Sequence, residues 1–234
     1  MSNIRCINTK NFFKIPEDLR LKLRKYFHTE NNFIIGFVFR NQLRKSVPNL
    51  LDGFKLFIEK HPKSKAKLLL HTHWSEGWNI PDLIKEKGID NNLVLTTYRC
   101  KNCFRYHVKP FTGQNIKCDF CEHPNSSETA NIKNGIDEKQ LNEIYNLMDV
   151  YCHPFTSGGQ EIPIQEAKLT ELITLVTSYS CGEDCCTEES GGLSLDWAEY
   201  REPGTQFIKA STSPESISNQ LEKVYLMDEK KKRK

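Results

Sequence analysis

The chain has 234 residues, 38% of them hydrophobic, enough for one sizeable core or for one domain with a small satellite. Its formal net charge is +3, but the last five residues, 230–234, are all basic and the rest carries −2. A large nucleic-acid surface is therefore not expected, because such surfaces need clustered Lys and Arg.

No apolar run approaches the ~20 residues of a membrane helix, and the N-terminus has no signal-peptide core. Nine cysteines, four of them at metal-ligand spacing, suit a reducing cytoplasm better than a disulfide framework. The basic end, 229–234, reads as a solvated tail or as a weak contact with anionic lipid or polyphosphate.

Strand and helix patterns alternate. Residues 1–32 read as a linker or the start of the domain. The run FIIGFVF, 33–39, predicts a buried strand. Ser46 then reads as an N-cap before a stripe of Val47, Leu50, Leu51, Phe54, Phe57 and Ile58 at helical spacing. A second strand is expected over 66–72, a short helix over 80–87 ended by Gly88, and a third strand over 93–97. Further on come a helix over 137–148, a strand over 150–153, a helix over 163–172 and a strand over 173–177. A sixth strand is expected over 206–210 and a last helix over 213–226, started by Ser213-Pro214-Glu215. Short apolar strands alternating with helices predict an α/β fold, a Rossmann-like parallel sheet covered on both faces. The domain body is then 33–97 together with 135–228, interrupted by an insertion at 98–134.

Parallel sheets bind ligands outside the carboxyl ends of their strands. The stretch HPFTSGGQEIPIQEA starts at His153, where such a strand ends. A helix start offers unpaired N–H groups and partial positive charge, so it favours phosphate. Gly158 and Gly159 would let a ligand approach the backbone, and Pro163 fits the first turn. Glu166, about one turn further, is suited to the vicinal diol of a ribose. The bland alternative is an ordinary loop in which Glu166 complements the helix dipole. At the end of the first strand, FRNQLRKS carries Arg40 and Lys45, which suit a diphosphate or a solvated turn.

The order GFVFRNQLRKS, KLLLHTH, LVLTT, DEKQLNEIYNLMDVYCHP, GGQEIPIQEA resembles the C-terminal, donor-binding domain of the group 1 glycosyltransferases of the GT-B fold. The resemblance covers nearly all of the chain outside the insertion. It implies a glycosyltransferase of hexosyltransferase type, acting with retention, and a nucleotide-sugar as donor. It also implies that Arg40 and Lys45 bind the donor diphosphate, that Glu166 contacts the ribose, and that the loop of Gly158, Gly159, Gln160, Glu161 and Ile162 lines the donor. Arg40, Lys45 and the amides at Gly158 and Gly159 would offset the charge of the departing diphosphate without a metal ion. Three positions depart from the family pattern: Gly158 stands where its motif has a first glutamate, Glu161 at a family glycine, and Glu171 at another. GT-B enzymes pair this domain with an acceptor-binding one, so an acceptor-binding domain or subunit is an expected partner and the isolated chain is expected to be incomplete.

The insertion carries Cys100-x2-Cys103 and Cys118-x2-Cys121, two close pairs of thiolates that suit a tetrahedral zinc ion. A structural zinc ribbon is expected, since so short a segment has little core of its own. A competing class is a non-catalytic interaction module, in which ribbon and tail bind protein or nucleic acid. His107 and His123 are read as bystanders, Cys181, Cys185 and Cys186 as ordinary thiols, and His153 as a satisfied strand-end residue or a phosphate neighbour.

Overall fold

The structure is a computed structural model that describes residues 9–187 and 189–232, with side chains up to residue 227. Six parallel strands form its centre: β1 (Phe33–Val38), β2 (Ala66–His71), β3 (Val94–Cys100), then β6 (Val150–His153), β7 (Ile173–Thr177) and β8 (Gly192–Leu195). Their order across the sheet is β3-β2-β1-β6-β7-β8. The winding reverses between β1 and β6, and that switch opens a crevice at the strands' carboxyl ends.

Every residue of β1 is buried, because FIIGFV has neighbours on both edges and helices on both faces. Gly36 is required there: a Cβ would lie 1.9 Å from Met148 Sδ, so its absence lets Met148 pack directly on the sheet. Helix α2 (Val47–Lys60) buries the stripe of Val47, Leu50, Leu51, Phe54 and Phe57, and packs on the last helix, α6 (Pro214–Lys232). Helix α3 (Ile80–Glu86) ends before Gly88, whose φ of +64° continues the chain in the left-handed region. Helix α4 (Glu138–Leu147) starts in a capping box between Asp137 and Gln140. Helix α5 (Ile162–Leu169) follows β6.

Several expectations are revised. The segment read as a linker or the start of the domain contains helix α1 (Glu17–Tyr26), fastened to the body by charge. Arg20 and Arg24 donate to Asp149 Oδ1 at 2.6 and 2.7 Å, and Asp149 Oδ2 accepts from the Ile34 amide at 2.7 Å. Polar residues hold α1 in place, so a search for apolar periodicity passes over it. Helix α5 stops at Leu169 rather than 172, where the buried Thr170 turns its hydroxyl to Ala167 O (2.7 Å) and Glu171 takes a φ of +60°. The strand expected over 206–210 is β10 (Ile208–Thr212). It lies outside the central sheet and pairs antiparallel with β9 (Trp197–Arg201). The polar, mostly exposed β9 and the short β8 carry too little apolar pattern to be read.

The insertion extends the edge of the sheet. β3 runs on to Cys100, and β4 (Tyr106–Pro110) and β5 (Ser127–Thr129) both pair antiparallel with it. The sheet is thus parallel-dominated but mixed. At the far end, the backbone of α6 continues to Lys232, beyond the expected 226. The side chains of the basic end and residues 233–234 lie outside the described residues. Among the described residues no helix is long and apolar enough to cross a membrane.

Candidate nucleotide site and cysteine cluster

Three elements meet at the switch point: the β1–α2 loop, the end of β6, and the glycine stretch that leads into α5. The β1–α2 loop is pinned from several sides. Lys45 forms an isolated antiparallel bridge with Phe155. Trp78 Nε1 donates to Lys45 O at 2.8 Å, and the Thr156 amide donates to Arg44 O at 2.8 Å. Lys45 is therefore turned inward and is only 2% exposed.

The Lys45 ammonium donates to Glu161 Oε2, and Arg44 Nη1 donates to Glu161 Oε1. Lys45 Nζ also lies 3.1 Å from His153 Nε2. His153 Nε2 lies 3.2 Å from Glu161 Oε2 as well, so this edge of the ring faces both the ammonium and the carboxylate. Nδ1 is 2.8 Å from Tyr151 Oη, which in turn donates to Val38 O at 3.0 Å. The network is closed and fully satisfied.

Burial lowers the Lys45 pKa to about 8, against the opposing pull of Glu161. Burial and the neighbouring lysine hold His153 at about 4, hence neutral. Burial pushes the Glu161 carboxyl up, but its contacts with His153 and Lys45 outweigh that and keep it well below the usual carboxylate range. All three together amount to one lysine charge balanced by one carboxylate, with Arg44 contributing at the rim.

On the other side of the switch point lies a cavity of about 320 Å³, between the ends of β1 and β2, the start of α5 and the loop 130–136. Arg40 and Glu166 both line it. Glu166 Oε2 accepts from the buried Tyr145 hydroxyl at 2.7 Å, and partial burial raises the Glu166 pKa. Thr72 Oγ1 and His71 Nδ1, on residues that also line the cavity, are buried with no protein partner. Burial holds the His71 pKa at about 4, so the ring is neutral. Arg40 itself is exposed and paired with Glu76 at 2.8 Å.

The predicted residues thus fall into two groups. Arg40 and Glu166 share one cavity wall. Lys45 does not line that cavity, being held beneath Glu161. Gly159 and Gln160 are exposed, Gly158 O accepts from Ser180 Oγ at 2.7 Å, and Ile162 opens α5. Sequence reasoning missed Arg44 and Tyr145. Arg44 had a signal, a second cation beside Lys45. Tyr145 had none, because a tyrosine on the apolar face of a helix reads as core.

A larger cleft of about 740 Å³ lies against the insertion and shares His73, Glu76, Asn131 and Ile132 with the smaller cavity. Arg99, Lys101 and Lys133 line it together with Glu76 and Glu128, and Lys101 pairs with Glu128 at 2.7 Å.

In the insertion, the Sγ atoms of Cys100, Cys103, Cys118 and Cys121 all lie within 4.8 Å of one another. Cys100–Cys121 and Cys103–Cys118 are each 3.7 Å apart, and a tetrahedron with metal–sulfur bonds of ~2.3 Å has edges of about 3.8 Å. The two loops are built alike. Phe104 and Glu122, each following the second cysteine of a pair, have φ of 60° and 57°. Their amides donate back to Cys100 O and Cys118 O, both at 3.1 Å. The amides of Asn102, Cys103 and Phe120 point at thiol sulfurs at 3.3–3.4 Å, an arrangement that favours thiolates.

No family model matches the sequence, and no curated protein matches it. Solved structures do. The chain is similar to the C-terminal domain of LpcC, a glycosyl transferase group 1 family protein from Francisella tularensis. The TM-score is 0.56 at 12% identity, over 94% of this chain and 87% of that one. The chain has the fold of one Rossmann-like half of a GT-B glycosyltransferase. It is also similar to WaaG, a glycosyltransferase involved in lipopolysaccharide biosynthesis (TM-score 0.60, 16% identity, 94% of this chain and 45% of that one). HepE from Anabaena, captured with UDP and glucose, matches at 0.59 and 14% identity over 93% and 45%. This chain thus spans less than half the length of the WaaG and HepE chains. The α/β expectation holds, with the mixed edge and the extra helix already noted.

Proposed function

We propose that the chain is the donor half of a glycosyltransferase and binds a nucleotide-sugar at the switch point of its sheet. The observation that carries this reading is the cavity at the ends of β1 and β2, where Glu166, oriented by Tyr145, faces Arg40 beside the start of α5. The ribose hydroxyls donate to Glu166, and the base lies toward loop 130–136, near the free Thr72 hydroxyl. The diphosphate extends toward the glycine stretch and the cations at the β1–α2 turn.

In the transfer, the bond between the anomeric carbon and the diphosphate oxygen breaks, and its electron pair goes to that oxygen. The acceptor hydroxyl oxygen forms the new bond to that carbon, with retention, and its proton passes to the departing diphosphate oxygen. Arg40, Lys45 and the α5 amides stabilise the charge on the leaving diphosphate. Arg40 is free to turn, because an exposed pair such as Arg40–Glu76 is worth at most about 1 kcal/mol. The acceptor is held by a second domain or subunit. The four cysteines hold one structural Zn²⁺, which fastens the insertion to the edge strand β3 and takes no part in the transfer.

Calorimetry tests the assignment, starting with UDP because HepE was captured with it. A nucleoside diphosphate is expected to bind and to raise the melting temperature by mass action. Glu166→Gln is expected to weaken the nucleotide but leave inorganic pyrophosphate nearly unaffected. Equal effects on both ligands, or no nucleotide binding at millimolar concentration, would leave the interaction module as the better reading.

A further inference from the structure

Two of the cations beside the glycine stretch, Arg44 and Lys45, are already occupied, while a third, Lys209, donates to Ser157 Oγ at 2.8 Å. Glu161 Oε1 accepts from Arg44 and Oε2 from Lys45, and the glutamate side chain is 4% exposed. Lys45, with a side chain 3% exposed, is buried beside that carboxylate. Two convergent cations, a neutral imidazole and the first turn of α5 are together the ingredients of an anion site. Here the anion is part of the chain.

The loop is shaped around this contact. A Cβ at Gly158 would lie 2.6 Å from Glu161 Oε1 and 3.3 Å from Arg44 Nη1. The carboxylate thus fills the space into which a side chain at 158 would project. Glu161 is also the N-cap residue of α5, yet its side chain makes no capping hydrogen bond. Its carboxylate has turned away from the helix amides and toward the cations, which leaves the first-turn amides without a side-chain acceptor from the cap.

We propose that Glu161 is an intramolecular counter-anion that occupies the phosphate site of this domain, and that a diphosphate enters by displacing its carboxylate from Arg44 and Lys45. The inference rests on the nucleotide-binding reading for its location, but it concerns the cation pair alone. The exchange is between like charges. An incoming phosphate restores the hydrogen bonds that Arg44 and Lys45 lose, and the displaced carboxylate turns out into water beside the exposed Gly159 and Gln160. Glu161 therefore lowers affinity for every diphosphate alike. It also keeps Lys45 paired while the site is empty, which a buried ammonium requires.

The test is calorimetry of wild type, Glu161→Gln and Glu161→Asp with inorganic pyrophosphate and with UDP, after circular dichroism and thermal melting show each variant folded. Glu161→Gln is expected to bind both ligands about tenfold or more tightly, the scale of one charge-assisted hydrogen bond no longer competing. Glu161→Asp keeps the charge that Lys45 needs but shortens its reach. It is expected to fold even if the glutamine variant does not, and to show a smaller gain of the same sign. Unchanged or weaker binding of both ligands by the folded variants overturns the proposal while leaving the nucleotide assignment intact. A gain for pyrophosphate with no binding of UDP beyond that of pyrophosphate supports the anion exchange and overturns the nucleotide assignment. No binding of either ligand by any variant overturns both.

Discussion

The Tyr145 hydroxyl donates to Glu166 Oε2 across the α4–α5 interface at 2.7 Å, and Oε1 has no protein partner among the described residues. One carboxylate oxygen is thereby fixed and the other left for a ligand. Tyr145→Phe keeps the packing and removes only the donor. It is expected to cost about 1 kcal/mol of stability and to weaken nucleoside diphosphate binding several-fold. Pyrophosphate binding is expected to stay unchanged. Denaturant melts and calorimetry on the same preparation check both.

Arg40 and Lys45 are expected to behave very differently when removed. Arg40→Ala deletes an exposed pair and changes stability by less than about 1 kcal/mol, while weakening nucleotide binding. Lys45→Met leaves Glu161 and part of Arg44 without the inner cation, and is expected to destabilise by about 3 kcal/mol or more. The double variant Lys45→Met, Glu161→Gln removes both buried charges and is expected to recover most of that loss. Urea unfolding of wild type, Lys45→Met, Glu161→Gln and the double variant gives the coupling directly.

Lys45 sets a pH dependence whose sign differs for binding and for stability. Binding needs the ammonium, so affinity for a nucleoside diphosphate is expected to fall as pH rises through about 8. Lys45→Arg, which stays charged, is expected to lack that fall. For stability, the folded pKa of about 8 lies below the ordinary 10.5. Between those values the unfolded chain holds more protons than the folded one, so unfolding free energy from this group rises with pH. Urea titrations across the interval, wild type against Lys45→Met, are expected to show the rise in wild type alone.

The cysteine cluster is expected to hold about one zinc per chain. Cys118→Ser should lose the metal and expose residues 101–126 to protease, while β1, β2, β6 and β7 keep their hydrogen-exchange protection. Metal analysis with limited proteolysis decides this. A zinc-free protein with an intact, protease-resistant insertion contradicts it.

Much of the fold could be read because its signals are local. FIIGFV and AKLLLH are apolar runs of strand length, and the stripe from Val47 to Phe57 repeats at helical spacing, so each element carries its own burial pattern. The Cys-x2-Cys pairs likewise carry their geometry in four residues each. Helix α1 was not legible: its place depends on Arg20 and Arg24 reaching Asp149, more than a hundred residues away. The same holds for β9 and β10, which pair with each other rather than with the sheet.

The site divides along the same line. Residue types and order alone placed Arg40, Lys45, Glu166 and the glycine stretch at strand ends, because a parallel βα pattern puts its loops there. Which of them meet was decided only in three dimensions. Arg40 and Glu166 share a cavity, while Lys45 turns inward to Glu161 and His153. Nothing in the sequence distances between 45, 153 and 161 encodes that choice. It follows from the parallel register of β1 and β6, which brings the two loops together. It follows also from burial, which leaves an ammonium no stable state except beside a carboxylate.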